Sequence, residues 1–269
     1  HVAKGTAAER VRRLNQDPWH FLTGNTPMDR EDFEILRGLY DGEVSYVDHR
    51  VGQVFEMLDS AGLLENTALF LTSDHGENLG EHGLMDHCYC LYETLLRVPL
   101  IAHFPSVFGR GERTDRQVQS HDLFPTILQL AGVLEDPAWA QVQSRSLLAS
   151  DDGERIAFAE YLEPQPPLPV LRQRYPGFEG KEFDRALRTA QSADFKYVWG
   201  SDGRDELYDL RADPGESENL IERRPERAKE LYATLERWLA SFEHSAGDQE
   251  TGALDESTIK KLEQLGYLQ

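Results

Sequence analysis

The stretch from Thr67 to Pro105 limits what this chain can fold into more than any other. An apolar run, Ala68–Leu71, ends in Thr72-Ser73, and Asp74, His75, Gly76 and Glu77 follow at once. A second apolar run, Val98–Phe104, begins after Arg97. Short apolar runs bounded by turn signals are expected to form buried strands of a parallel sheet. In open α/β sheets ligands bind just beyond the carboxyl ends of the strands. Asp74 and His75 fall at such an end, a carboxylate beside an imidazole, and are candidate ligands of a divalent metal. The same two residues also suit an ordinary turn in which Asp74 is a cap. His82 and His87 flank the loop, where an imidazole could contact an anionic substrate or protonate a leaving group. Glu77, Glu81 and Asp86 read as solvated or loop-ordering, and Arg97 as an anion ligand or a partner for Glu93.

One carboxylate and one neutral imidazole place a single negative charge against a dication, so this segment calls for further carboxylates from elsewhere. The formal net charge of −20 over 269 residues argues against a nucleic-acid backbone as partner, because that requires clustered Lys and Arg. A hydrophobic share of 39% suits a soluble globular protein. No run reaches the ~18 apolar residues of a membrane span, and no signal peptide opens the chain. The sequence starts at His1 rather than Met and reads as cut from something longer. Cys88 and Cys90 are the only cysteines. Nothing near them completes a four-ligand zinc site, so they are expected to be buried thiols.

Around this centre the pattern is ordered. A long helix is expected from an Asp29 cap to about Ala61, with an apolar stripe of Phe33, Leu36, Tyr40, Val44, Val47, Val51, Val54 and Leu58 and a stop at Gly62. A short strand is expected near Gln117–Gln119, a second helix after Asp122, and a strand over Ile156–Tyr161. The Pro-rich stretch from Pro164 to Gly180 reads as irregular. Beyond it, strands over Ala186–Ser192, Phe195–Trp199 and Glu206–Leu210, a turn at Gly200–Gly203 and an amphipathic helix over Pro225–Phe242 suggest a small antiparallel unit.

Five segments, taken in order, resemble one family. TSDHGENLGEHGLMDH, LYETLLRVPLI, SHDLFPTILQLAGV and FKYVWGSDGRDELYDLRADPGESENL, preceded by LYDGEVSYVDHRVGQV, are similar to the sulfatases of the alkaline-phosphatase-like superfamily. The resemblance runs from about residue 30 to the C-terminus, and the tail LEQLGYL fits it. It implies an α/β fold with a mainly parallel sheet flanked by helices, its N-terminal part missing, and a small C-terminal antiparallel α+β subdomain. The corresponding units are residues 1–160, 161–245, and a docking tail over 246–269.

By the same resemblance Asp74 and His75 match metal ligands of the family, with calcium expected and magnesium, manganese or zinc compatible with an imidazole. His87 is the nearest basic residue to the position of the family's sulfate-binding Lys, and His82 is a weaker candidate for the same chemistry. The family nucleophile, a formylglycine made from C/S-x-P-x-R, has no counterpart in this sequence and is expected in an N-terminal part. The implied activity is hydrolysis of a small-molecule or carbohydrate sulfate ester. Phosphate or phosphonate ester hydrolysis is the alternative within the superfamily, and a non-catalytic binding role the alternative outside it.

Overall fold

The computed structural model describes residues 6–133, 144–150, 153, 155–164 and 168–243. In chain order the elements are α1 (Thr6–Arg13), α2 (Pro18–Leu22), α3 (Arg30–Ser60), β1 (Leu69–Thr72), β2 (Asn78–Leu79), β3 (Met85–Asp86), α4 (Glu93–Leu96), β4 (Leu100–His103) and α5 (Leu123–Leu130). They continue with β5 (Ala157–Tyr161), α6 (Leu168–Arg174), β6 (Leu187–Gln191), β7 (Phe195–Gly200), β8 (Glu206–Asp209) and α7 (Pro225–Glu243).

Helix α3 starts and stops where its sequence says. Asp29 accepts from the Asp32 amide, and the Asp32 carboxylate accepts in return from the Asp29 amide. This reciprocal cap satisfies two of the orphan donors of a helix start. Gly62, at φ 68°, ends the helix where a Cβ would be strained. Neither Gly38 nor Gly42 interrupts it. Of its apolar stripe only Phe33 is buried, against Phe21, while Tyr40, Val44, Val47 and Val54 are exposed.

The strand pairing departs from the parallel arrangement expected. β1 and β4 pair antiparallel, Thr72 opposite Leu100 and Leu69 opposite His103, and no parallel pair occurs among the described residues. The connection between them holds the two-residue strands β2 and β3, a 3-10 turn at Glu81–Gly83 and the single turn α4, and the chain re-enters at the end it left. With one partner each, β1 and β4 are half-exposed rather than buried.

The second body of structure is a four-stranded antiparallel sheet in the order β5-β6-β7-β8. Helix α7 covers it, setting Ala228, Leu231 and Leu235 against Ala190, Tyr197 and Leu207, with Trp238 stacked on Phe158. Two local expectations are corrected. The Pro-rich stretch contains α6, because Leu168 and Leu171 bury one face against Tyr89 and Tyr175. Gln117–Gln119 is not a strand. Instead the Gln117 and Gln119 side chains donate to the carbonyls of Gln191 and Phe158 and so fasten that segment to the sheet. The expected tail over 246–269 lies outside the described residues.

Candidate metal and anion site

The loop after β1 is shaped by one close approach. The Gly76 amide donates to the Leu95 carbonyl at 2.8 Å. A Cβ at Gly76 would stand 2.0 Å from the Thr94 carbonyl oxygen, so only glycine fits there. Fully buried Asn78 ties the returning chain down, donating to the Asp86 carbonyl and accepting from the Thr94 hydroxyl at 2.6 Å. Three of the four non-glycine residues with positive φ among the described residues, His82, Asp86 and Tyr89, fall in this short return. Such strain costs of order 1–3 kcal/mol per residue and persists where the surroundings over-determine the backbone.

This arrangement brings His75 and His87 together. Their rings stack with centroids 4.2 Å apart and planes 26° from parallel. His75 Nδ1 lies 2.8 Å from the Gly76 carbonyl oxygen. A carbonyl can only accept, so Nδ1 carries the proton and Nε2 offers its lone pair. His87 Nδ1 lies 2.6 Å from a carboxylate oxygen of Asp86 and 3.4 Å from one of Glu77. His75, Glu77 and His87 each present a ligand atom within 4.8 Å of the others. Burial, and then the neighbouring Asp86 carboxylate, push the Glu77 carboxyl up from its ordinary value.

Asp74 sits beside His75 on the exposed side of the loop. Its Oδ2 lies 3.7 Å from His75 Nε2, its Oδ1 accepts from the His75 amide, and its side chain is 87% exposed. That amide is the main reason its carboxyl sits below the usual range. His82 lies elsewhere. It stacks on Tyr92, centroids 3.7 Å apart, in a cavity of about 370 Å³ also lined by Arg185, Arg204, Glu206 and Tyr208. Burial holds the His82 imidazole below its ordinary pKa. Arg185 pairs there with Glu206 at 2.6 Å.

Two matches to family models cover most of the chain. Residues 10–133 match the model described as Sulfatase, and residues 80–245 match the C-terminal model of N-sulphoglucosamine sulphohydrolase. The chain belongs to the sulfatase family. It is 29% identical over 234 residues to an N-acetylglucosamine-6-O-sulfatase of Bacteroides thetaiotaomicron, covering 83% of this chain and 39% of that protein. It is 32% identical over 184 residues to the uncharacterized sulfatase YidJ of Escherichia coli, covering 68% of this chain and 34% of that one. A solved structure in complex with D-glucosamine-2-N,6-O-disulfate superposes with TM-score 0.67 at 25% identity, over 91% of this chain and 48% of that one. A phosphonate monoester hydrolase of Agrobacterium radiobacter shares the fold, with TM-score 0.61 at 22% identity. The chain thus spans well under half the length of the two sulfatases it matches in sequence.

Sulfatases are generally metal-dependent, and the donors on the loop can be tested against the ion the resemblance implies. Calcium takes six to eight oxygen ligands. Among the described residues the loop presents the imidazoles of His75 and His87 and the carboxylates of Glu77 and Asp74, the last with Oδ2 3.7 Å from His75 Nε2. These are fewer oxygens than calcium takes.

The sequence pointed to His75 and His87 but passed over Glu77 and Asp86. A signal was present, since Glu77 follows His75 by two residues and Asp86 precedes His87. Lys196 was missed with no signal at all. It is fully buried, with its Nζ 3.1 Å from Glu93 and 2.5 Å from Glu216, and donates to the Leu91 carbonyl. Glu216 also accepts from the Glu93 amide, so β7 and the turn after β8 clamp the segment that leaves the site loop.

Proposed function

We propose that the protein to which this chain belongs hydrolyses sulfuric esters of a small molecule or carbohydrate, releasing the alcohol and sulfate. The observation that carries the reading is the match of the sulfatase model across residues 10–133, which contain the loop where His75, Glu77 and His87 converge. A relative named N-acetylglucosamine-6-O-sulfatase and a similar solved structure with D-glucosamine-2-N,6-O-disulfate bound support a sulfated amino sugar as the substrate class. In the whole protein the β1–β4 pair would belong to a larger, mainly parallel α/β sheet, and the formylglycine nucleophile would lie outside these residues.

Within this chain the proposed roles fall on the loop. Asp74 and His75 would hold a divalent cation, which would supply charge stabilisation to the ester. His87, oriented by Asp86, would engage the sulfate group. His82 faces the neighbouring cavity and would touch the part of the substrate that carries the ester. Gly76 and Asn78 hold the loop open in the shape these roles need.

The test uses the whole protein and the 269-residue chain side by side, each with an aryl sulfate, glucosamine 6-sulfate and an aryl phosphonate. The expected result is turnover of the sulfates by the whole protein alone, reduced at least ~10²-fold in His87→Ala. Faster turnover of the phosphonate than of either sulfate would replace this reading with the phosphonate hydrolase one.

A further inference from the structure

We propose that the cavity around His82 is a subsite for an uncharged, hydroxyl-bearing sugar ring and turns away a ring that carries a further anion. The proposal rests on the reading of the whole protein as a carbohydrate sulfatase and deepens it by naming which sugars the chain admits.

The cavity, about 370 Å³, is built by two parts of the chain. His82, Tyr89 and Tyr92 come from the loop between β1 and β4, and Phe183, Arg204 and Tyr208 from the approach to β6 and the β7–β8 hairpin. Small-molecule pockets begin at ~300 Å³ and combine aromatic walls with a few placed polar groups. Four of these six residues are Tyr or Phe, and the negative face of an aromatic ring suits the polarised C–H groups of a sugar. Tyr89 follows His87 by two residues, at most ~7 Å of extended chain. An ester on a ring held here is therefore close to His87.

His82 is the residue shaped for this task. Its backbone stands at φ 54° and ψ 19°, a left-handed conformation that glycine would hold without strain. Such strain in a residue with a side chain gathers at ligand-binding positions. The imidazole lies flat on Tyr92, planes 12° from parallel, which fixes the ring. Among the described residues no hydrogen bond reaches either of its nitrogens. Kept neutral by burial, the ring offers one donor and one acceptor, which is what a hydroxyl also offers in return.

Charge decides which sugar enters. The lining holds two guanidiniums, Arg185 and Arg204, against the three carboxylates of Glu182, Asp205 and Glu206. Both guanidiniums are engaged, Arg185 with Glu206 at 2.6 Å and Arg204 with Asp202 at 2.5 Å. Glu206 also accepts from the Tyr92 and Tyr208 hydroxyls, and Asp205 from that of Tyr197. Glu182 has no ion pair among the described residues. A carboxylate or second sulfate placed here meets that like charge with both cations already taken, and a built-in repulsion of this kind is how sites reject close analogues.

The experiment uses the 269-residue chain with isotope-labelled histidine and tyrosine, followed by NMR as N-acetylglucosamine or glucuronic acid is added. Expected are saturable shifts of the His82 and Tyr92 signals with N-acetylglucosamine, and binding of glucuronic acid at least ~10-fold weaker. His82→Phe keeps a ring to stack on Tyr92 but removes both nitrogens, and should weaken N-acetylglucosamine ~10-fold by the tyrosine signals. Glu182→Gln should narrow the gap between the two sugars. The exposed His121→Asn should change nothing, and circular dichroism should show all three variants folded. Unmoved His82 and Tyr92 signals, equal affinity for the two sugars, or full binding in folded His82→Phe overturns the proposal. Because the readout is binding rather than turnover, the two readings fail separately. A whole protein that hydrolyses no sulfate ester while this chain binds as expected removes the proposed activity and leaves the subsite. Sulfate turnover without sugar binding removes the subsite alone.

Discussion

The buried Lys196 network gives the sharpest test of how the small sheet holds the site loop. Lys196 is 0% exposed, and its ammonium meets Glu93, Glu216 and the Leu91 carbonyl at 3.1, 2.5 and 3.1 Å. Replacing it by Met keeps much of the volume and leaves the Glu216 carboxylate, 2% exposed, without its counter-charge. Burial already pushes the Glu216 carboxyl up, and Lys196 is the largest influence holding it down. Breaking a buried ion pair from one side costs ~3–5 kcal/mol, most of it the stranded charge. For a body of this size 1 kcal/mol shifts Tm by ~2–4 °C, so Lys196→Met should lower it by ~6–20 °C. Urea unfolding followed by fluorescence measures the free energy directly. The stranded-charge argument makes a second demand. Adding Glu216→Gln to Lys196→Met should restore at least ~1 kcal/mol, since contacting residues couple by 0.5–3 kcal/mol. A single mutant that loses under ~1 kcal/mol, or a double mutant that loses the sum of the two singles, would refute the reasoning.

Three further outcomes follow from the structure. Gly76→Ala should destabilise the site loop, because the new methyl meets the Thr94 carbonyl oxygen at 2.0 Å and the backbone there must shift; urea unfolding should show a lower midpoint than the unsubstituted chain. Arg155→Ala should raise the pH of acid unfolding. Burial alone would raise the Asp122 carboxyl, but Arg155 and the Arg145 and Gln119 amides together hold it below its ordinary 3.8. This stabilisation is full above that value and fades as pH falls through the lower folded one. Circular dichroism against pH reads the shift. Cys88, pushed up to about 12 from 9.0 first by burial and then by Asp86, should react with iodoacetamide at pH 8 at least ~10²-fold more slowly in the native chain than in urea, since only the thiolate attacks. By the same linkage its contribution to stability holds below about pH 9 and is lost as pH rises through about 12.

Local chemistry was open to reading and distant pairing was not. The ends of α3 follow from Asp29, Asp32 and Gly62, because caps depend on residues within one turn. The hairpin between β7 and β8 and the apolar face of α7 follow from turn residues and a 3.6-residue period. His75 and His87 stood out as chemistry-bearing residues on one loop. Their stacking was not legible, since it depends on the left-handed turns at His82 and Asp86, conformations that non-glycine residues adopt only when tertiary contacts impose them.

What the sequence by itself determined, then, was the family, the longer helices, the strands of the small antiparallel sheet and the loop that bears the site. Each of these is written in neighbouring residues. Only the tertiary structure decided the rest. It set β1 and β4 antiparallel, a pairing of distant segments that neither strand's own residues specify. It brought Glu77 and His87 to His75 on a loop in which Gly76 passes close against Thr94. It buried Lys196 between carboxylates from two distant segments, Glu93 and Glu216. A charge with that separation in sequence is stable in the interior only when folding has already delivered its partners, and no local pattern encodes that.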